Sequence, residues 1–176
     1  MKIALGTDHR GYHVKERLKN FLLDGGHDVT DCGCPSEKSC DYPDYAIPPC
    51  LKVTRGQAER AILMCGSGIG VTMVANKVAG IRAALCHDEL TAEMSRRHND
   101  ANVLCLPADL LGDELIRRMI QVWLETPFDG GRHARRVKKI MSAERHLCDN
   151  GPDEAATAEA RRRRNARKAS RGKKTS

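Results

Sequence analysis

Residues 65–70 read CGSGIG, a thiol followed by three glycines on alternate positions. A cysteine that ends a strand and opens such a turn faces the N–H groups of a helix start. The helix dipole pushes a thiol there toward thiolate, which makes it a usable base or nucleophile. The glycines let the backbone turn sharply and approach a ligand closely, which favours a bound anion or a developing oxyanion. The same residues also fit a plainer reading, a small core cysteine followed by a tight turn. Two other chemistries can be tested on the spacing. A cysteine phosphatase loop needs an arginine six positions after its cysteine, where this chain has Val71. A dinucleotide fingerprint needs GxGxxG after the first strand; here the spacing is GxGxG after the third, although Asp88 lies at the distance expected of its acid.

Three further polar groups could join that turn. GTDHRG brings Asp8 and His9 to the end of the first strand, and RRHNDAN (96–102) carries His98 and Asn99 between a helix and a strand. GGRHARR (130–136) sets Arg132 and Arg136 one helical turn apart, a spacing that can grip a phosphate through charge-assisted hydrogen bonds or simply face solvent. His98 stands at the amino end of a strand, on the rim opposite to Cys65, so the fold of a single chain does not by itself unite them.

The elements that must hold these residues alternate. KIALG (2–6) reads as a strand and 12–26 as a helix with Val14, Leu18, Phe21 and Leu22 at helical spacing; 27–32 is a strand and 44–55 a helix. RAILMC (60–65) leads through the glycine turn to a helical GVTMVANKV, IRAALC (81–86) to a helix over 88–98, and NVLCLP (102–107) to a helix over 113–125. Five strands separated by helices call for a doubly wound, Rossmann-like α/β domain: a parallel sheet with helices on both faces. A last helix over 132–147 carries Val137, Ile140, Met141 and Leu147 as a narrow apolar stripe, suited to docking on its own sheet or on a second subunit.

The chain has 176 residues and a formal net charge of +7, but 161–176 hold nine Lys/Arg and no acid, leaving 21 basic against 23 acidic residues before them. The body is therefore slightly acidic, and its charge gives no support to nucleic-acid binding by the folded part. From Asn150 onward no large apolar side chain occurs, so the expected domains are a folded 1–149 and a basic, disordered tail over 150–176. The tail could engage RNA or another polyanion, with a steep salt dependence, but it has no aromatics for base stacking. No secretory signal and no membrane-spanning run is present, so the eight cysteines are expected as reduced thiols of a cytoplasmic protein. Cys32, Cys34, Cys40 and Cys50 contain no CxxC pair, which argues against structural zinc.

Taken together and in this order, GTDHRG, DYPDYA, CGSGIG, ANKVAGIRAA, SRRHNDANVL and GGRHARRV resemble the ribose-5-phosphate isomerase B family, which includes galactose-6-phosphate and allose-6-phosphate isomerases. The likeness spans about residues 1–147. It implies an aldose–ketose isomerase in which Cys65, as general base, takes the proton from C2 of the open-chain sugar phosphate and returns it at C1. The N–H groups of Gly66, Gly68 and Gly70 would hold the enediolate oxygen, with Ser67 close to it. His98 would open the furanose ring, Asp8 would bind hydroxyls or assist, and Tyr42 and Asn99 would line the sugar. His9, Arg132 and Arg136 would hold the phosphate. The resemblance also implies a homodimer or homotetramer with sites shared between subunits, and neither cofactor nor metal. Ribose 5-phosphate is the expected substrate, with allose or galactose 6-phosphate as the alternatives. One position departs: Asp109 stands where many relatives carry a phosphate-binding arginine, so either a cation such as Arg10 or Arg135 compensates or the preferred sugar differs.

Overall fold

The computed structural model describes residues 1–144. The expected stretch 145–147 of the last helix and the tail 150–176 lie outside the described residues. Five strands form one parallel sheet: β1 (Lys2–Thr7), β2 (Asp28–Asp31), β3 (Arg60–Cys65), β4 (Ala83–Leu85) and β5 (Val103–Pro107), in the order β2-β1-β3-β5-β4. Helices α1 (Tyr12–Asp24), α2 (Tyr42–Thr54), α3 (Ile69–Ala75), α4 (Glu89–Asn99) and α5 (Asp113–Glu125) connect and follow them, and a sixth, α6, runs over 131–144. The doubly wound architecture read from the sequence is the one observed.

Period-two alternation sorts the strand residues between two faces. Ile3, Leu5, Ile62, Met64, Leu104 and Leu106 pack with Leu18, Leu22, Ile116 and Trp123, under α1 and α5. Ala4, Ala61, Leu63, Cys65, Val103 and Cys105 pack with Ala46 and Cys50 of α2 and with Val71 and Ala75 of α3. β1, β3 and β5 are buried on both sides, the pattern of a covered parallel sheet. Each large side chain taken fully out of water contributes about 1.5–3 kcal/mol. Cys65 is the last residue of the central strand and projects to the α2–α3 face.

Boundaries differ from expectation where local chemistry outweighs periodicity. α2 starts at Tyr42, two residues early, because Pro43 sits in its first turn, where the missing N–H has no intrahelical partner to lose. The expected helix over 70–78 shrinks to Ile69–Ala75, and the strand 81–86 to Ala83–Leu85. α4 starts one residue late because Asp88 is its N-cap, in a reciprocal capping box with Thr91 (2.7 Å from Thr91 N to Asp88 Oδ1).

Residues 1–134 make one compact unit, and the described residues 135–144 belong to a second. In the second, Val137 and Met141 are half-buried and Ile140 is exposed.

A candidate active site in two halves

The strand order reverses at β1 and β3: the connection from β1 leads outward one way to β2, and that from β3 leads the other way. Open parallel sheets bind ligands outside the carboxyl ends of their strands at such a point. Asp8 follows β1 there and Cys65 closes β3 there.

The glycine turn is shaped by two constraints. Gly68 caps α3 with φ +72°, and a Cβ on it would lie 2.5 Å from Leu85 and 3.0–3.1 Å from the backbone of Leu106 and Pro107. Only glycine meets both demands. The turn is pinned from β5 by the Ala108 N–H donating to the Cys65 carbonyl (2.9 Å) and the Asp109 N–H to the Gly66 carbonyl (3.1 Å). Ser67 is exposed and its Oγ accepts from the Ile69 N–H (3.3 Å). The N–H groups of Gly66, Ser67 and Gly68 donate to no acceptor among the described residues, so the turn offers a row of donors where an oxyanion would sit.

The sequence-predicted neighbours gather around this turn. The Asp8 carboxylate is buried and accepts from the Arg10 N–H (2.9 Å), which orders the short 3-10 turn His9–Gly11. His9 Nδ1 accepts from the Cys40 N–H (3.2 Å). With Nδ1 occupied as an acceptor, Nε2 is the nitrogen left to carry a proton and donate. The Tyr42 ring lies against Gly70, so close that a Cβ there would be 2.7 Å from it. Asp109 does not stand alone: its Oδ2 accepts from Arg10 Nε (2.8 Å) and Nη2 (2.6 Å), and of the two cations the sequence suggested, Arg10 is the one that pairs with it.

Cys65 differs from the other interior thiols in position. Desolvation pushes Cys50 up to about 12, Cys86 up to about 11, and Cys105 upward as well. Those three are unsuited to act as bases near neutrality. Cys65 sits at the strand end, 4% exposed, beside the donor row.

His98, Asn99 and Arg132 form a second cluster at the opposite rim. α4 runs back from the carboxyl ends of the strands, so its last residues reach the amino ends. There Arg82, just before β4, donates to the carbonyls of Asn99 (3.1 Å) and Asp100 (2.7 Å). The His98 ring stacks on that of His133, centroids 4.2 Å apart and 3° from parallel. The Arg132 Nε–H donates to His133 Nε2 (3.3 Å), and Asp129 is bound by Arg97 (3.2 Å), which holds its carboxyl below the usual range. Arg136 lies further along α6, in the second unit.

His133 and Asp129 were missed by sequence reasoning, which took only the arginines from GGRHARR. The available signal was a histidine one residue from Arg132 in a motif already singled out. His98, Asp129 and His133 are also the set of three among the described residues that could ligate an ion, with ligand atoms within 4.8 Å of one another. First-row metal–nitrogen distances near 2 Å would require that set to draw together.

The sequence pattern of the ribose/galactose isomerase family matches residues 3–140. The ribose-5-phosphate isomerase B of Escherichia coli is 41% identical over 143 residues, 81% of this chain and 96% of that one. A D-erythrulose-4-phosphate isomerase of Pectobacterium atrosepticum is 40% identical over 141 residues, 80% and 93% of the two chains. Among solved structures, the Clostridium thermocellum ribose-5-phosphate isomerase B superposes with a TM-score of 0.82 at 44% identity, covering 84% of this chain and 99% of its own.

Proposed function

The chain belongs to the ribose/galactose isomerase family, and from that premise we propose that it interconverts ribose 5-phosphate and ribulose 5-phosphate through an enediolate, with Cys65 as general base. That it is a sugar-phosphate aldose–ketose isomerase follows from its relatives; the pentose and the thiol are the reading put forward here. The observation that carries it is the placement of Cys65 at the end of the central strand, beside three unused N–H donors, at the switch point of the sheet. The Cys65 thiolate takes the C2 proton of the open-chain aldose while the carbonyl oxygen on C1 gains charge. The donors of the Gly66–Gly70 turn meet that charge, each worth about 3–4 kcal/mol where it is aimed at the oxyanion. The thiol then returns the proton to C1, and transfer of the proton on O2 to O1 completes the ketose. His9 would hold the phosphate through Nε2–H, and Tyr42 would flank the sugar.

We further propose a homodimer, or a tetramer built from it, in which the carboxyl rim of one copy meets the amino rim of another. His98 would then reach the sugar ring, Asn99 would line it, and Arg132 and Arg136 would reach the phosphate. Ile69 and Met73 support this arrangement: both are about half exposed or more and follow directly on the glycine turn, where a second copy would cover them. Seven described cysteines are free thiols, which suits a reducing cytoplasm. Among the described residues no helix is long and apolar enough to cross a membrane.

A four-carbon substrate is the second reading, favoured by the erythrulose phosphate isomerase at 40% identity, with allose or galactose 6-phosphate behind it. Rates on ribose 5-phosphate, erythrulose 4-phosphate, allose 6-phosphate and galactose 6-phosphate decide among them. The pentose is expected to give the highest kcat/KM, and a tenfold or larger preference for any other sugar ends that assignment.

A further inference from the structure

The carboxyl rim carries more charge than the isomerase chemistry uses. Asp8 and Asp109 bring two carboxylates to it, and Arg10 contacts both: its guanidinium donates two hydrogen bonds to Asp109 and its backbone N–H one to Asp8. The position is specific. A Cβ on Gly66 would lie 2.6 Å from Asp109 Oδ2 and 3.7 Å from Arg10 Cγ, so the ion pair is laid directly across the residue after Cys65. Both Arg10 bonds go to the same oxygen, Oδ2. Two of the five guanidinium N–H donors are therefore spent, and the side chain is 57% exposed.

An ion pair with spare donors on one side is a braced cation. Asp109 fixes the direction of the fork, and the free donors match the geometry of a tetrahedral oxyanion better than an ammonium could. His9, the preceding residue, is left with Nε2 to donate, so adjacent residues of the same short 3-10 turn offer two kinds of donor. The pair also removes an electrostatic obstacle. A bare Asp109 carboxylate beside the turn would repel both a phosphate dianion and the enediolate, and Arg10 neutralises it in place.

We propose that Arg10, braced across Gly66 by Asp109, is a ligand of the substrate's phosphate group. The proposal rests on the sugar-phosphate reading above and adds to it a contact that His9, Arg132 and Arg136 do not supply.

The test uses the full chain and two probes, the preferred sugar phosphate and inorganic phosphate, the latter measured as a competitive inhibitor and by direct calorimetric binding. Arg10→Met is expected to raise KM and the phosphate dissociation constant about tenfold or more, with kcat within about threefold of native. The double variant R10M/D109N is expected to recover part of that loss, because it also removes the exposed carboxylate. Phosphate binding within twofold of native in R10M overturns the proposal and reduces the pair to a surface ion pair. Should R10M melt several degrees low, Arg10→Lys decides: it keeps the charge and loses the fork. A fall of about threefold in phosphate affinity is then expected, and native affinity overturns the proposal. The two readings fail separately. Cys65→Ala ends turnover while leaving the phosphate constant at its native value, and a native chain that turns over none of the four sugars refutes the isomerase reading while the phosphate measurement on R10M still stands.

Discussion

The two rims of the sheet carry different kinds of chemistry and are built by different means. The carboxyl rim is backbone-made: a cysteine, three glycines and the N–H groups between them, locked by Gly68 against β4 and β5 and spanned by the Arg10–Asp109 pair. The amino rim is side-chain-made: His98 stacked on His133, Asp129 tied to Arg97, and Arg82 fastening the end of α4 to the start of β4. The first can stabilise charge that appears and vanishes during a reaction; the second can pass protons and bind a fixed anion. On the reading proposed above neither half is a complete isomerase site, because the sheet separates them within one chain. On that reading a site assembled from both would need two chains.

The comparison breaks first at Cys65. Cys65→Ala is expected to cut kcat by about a thousandfold, the scale of a lost general base, with unchanged circular dichroism; full activity would leave the backbone-made rim without its reagent. Mixing inactive C65A with inactive H98A chains under exchange is expected next to restore activity, toward about a quarter of native for a dimer, since half the dimers are mixed and each has one intact site. No recovery after demonstrated exchange would show that each chain's rims act alone. Gly68→Ala tests the lock on the turn: φ +72° and a 2.5 Å approach to Leu85 predict a loss of about 2–3 kcal/mol by denaturant unfolding and a fall in kcat. Arg97→Met sharpens the other rim by a smaller amount. Arg97 depresses the Asp129 pKa, so its contribution is complete above about pH 4 and is lost as pH falls through the lower folded value. The variant should bring the Asp129 carboxyl titration, followed by carbon NMR, back up toward the ordinary range. Smallest of all, deleting residues 150–176 is expected to leave kcat/KM within about twofold, because every residue placed on either rim precedes residue 137.

The strands were legible because β1, β3 and β5 are buried on both faces and read as continuous apolar runs, and the glycine turn because its spacing departs from any regular element. α2 was harder: Pro43, Pro48 and Pro49 argue against a helix on propensity, yet the first occupies the tolerated first turn and the burial of Ala46 and Cys50 outweighs the other two. The edge strand β4 was overdrawn because its flanking apolar residues, Ile81 and Cys86, are buried outside its paired register, although the Cys86 N–H still donates to the Cys105 carbonyl (3.1 Å). At the site, Asp109 stood out as a carboxylate where a cation was expected, and Arg10 was one of two suggested partners. Only the fold brings residues 10 and 109 together. His133 escaped because its significance lies in a ring 35 positions away, a pairing that no local pattern encodes.

The strand order has a consequence for synthesis of the chain. Among the described residues β4 pairs only with β5, and β5 inserts between β4 and β3 after both have already been made. As the polypeptide leaves the ribosome, the edge of β3 that ends in Cys65 therefore stays open until residues 103–109 emerge. The glycine turn gains its pins from Ala108 and Asp109 only then, so the reactive end of the molecule is among the last parts to acquire its shape.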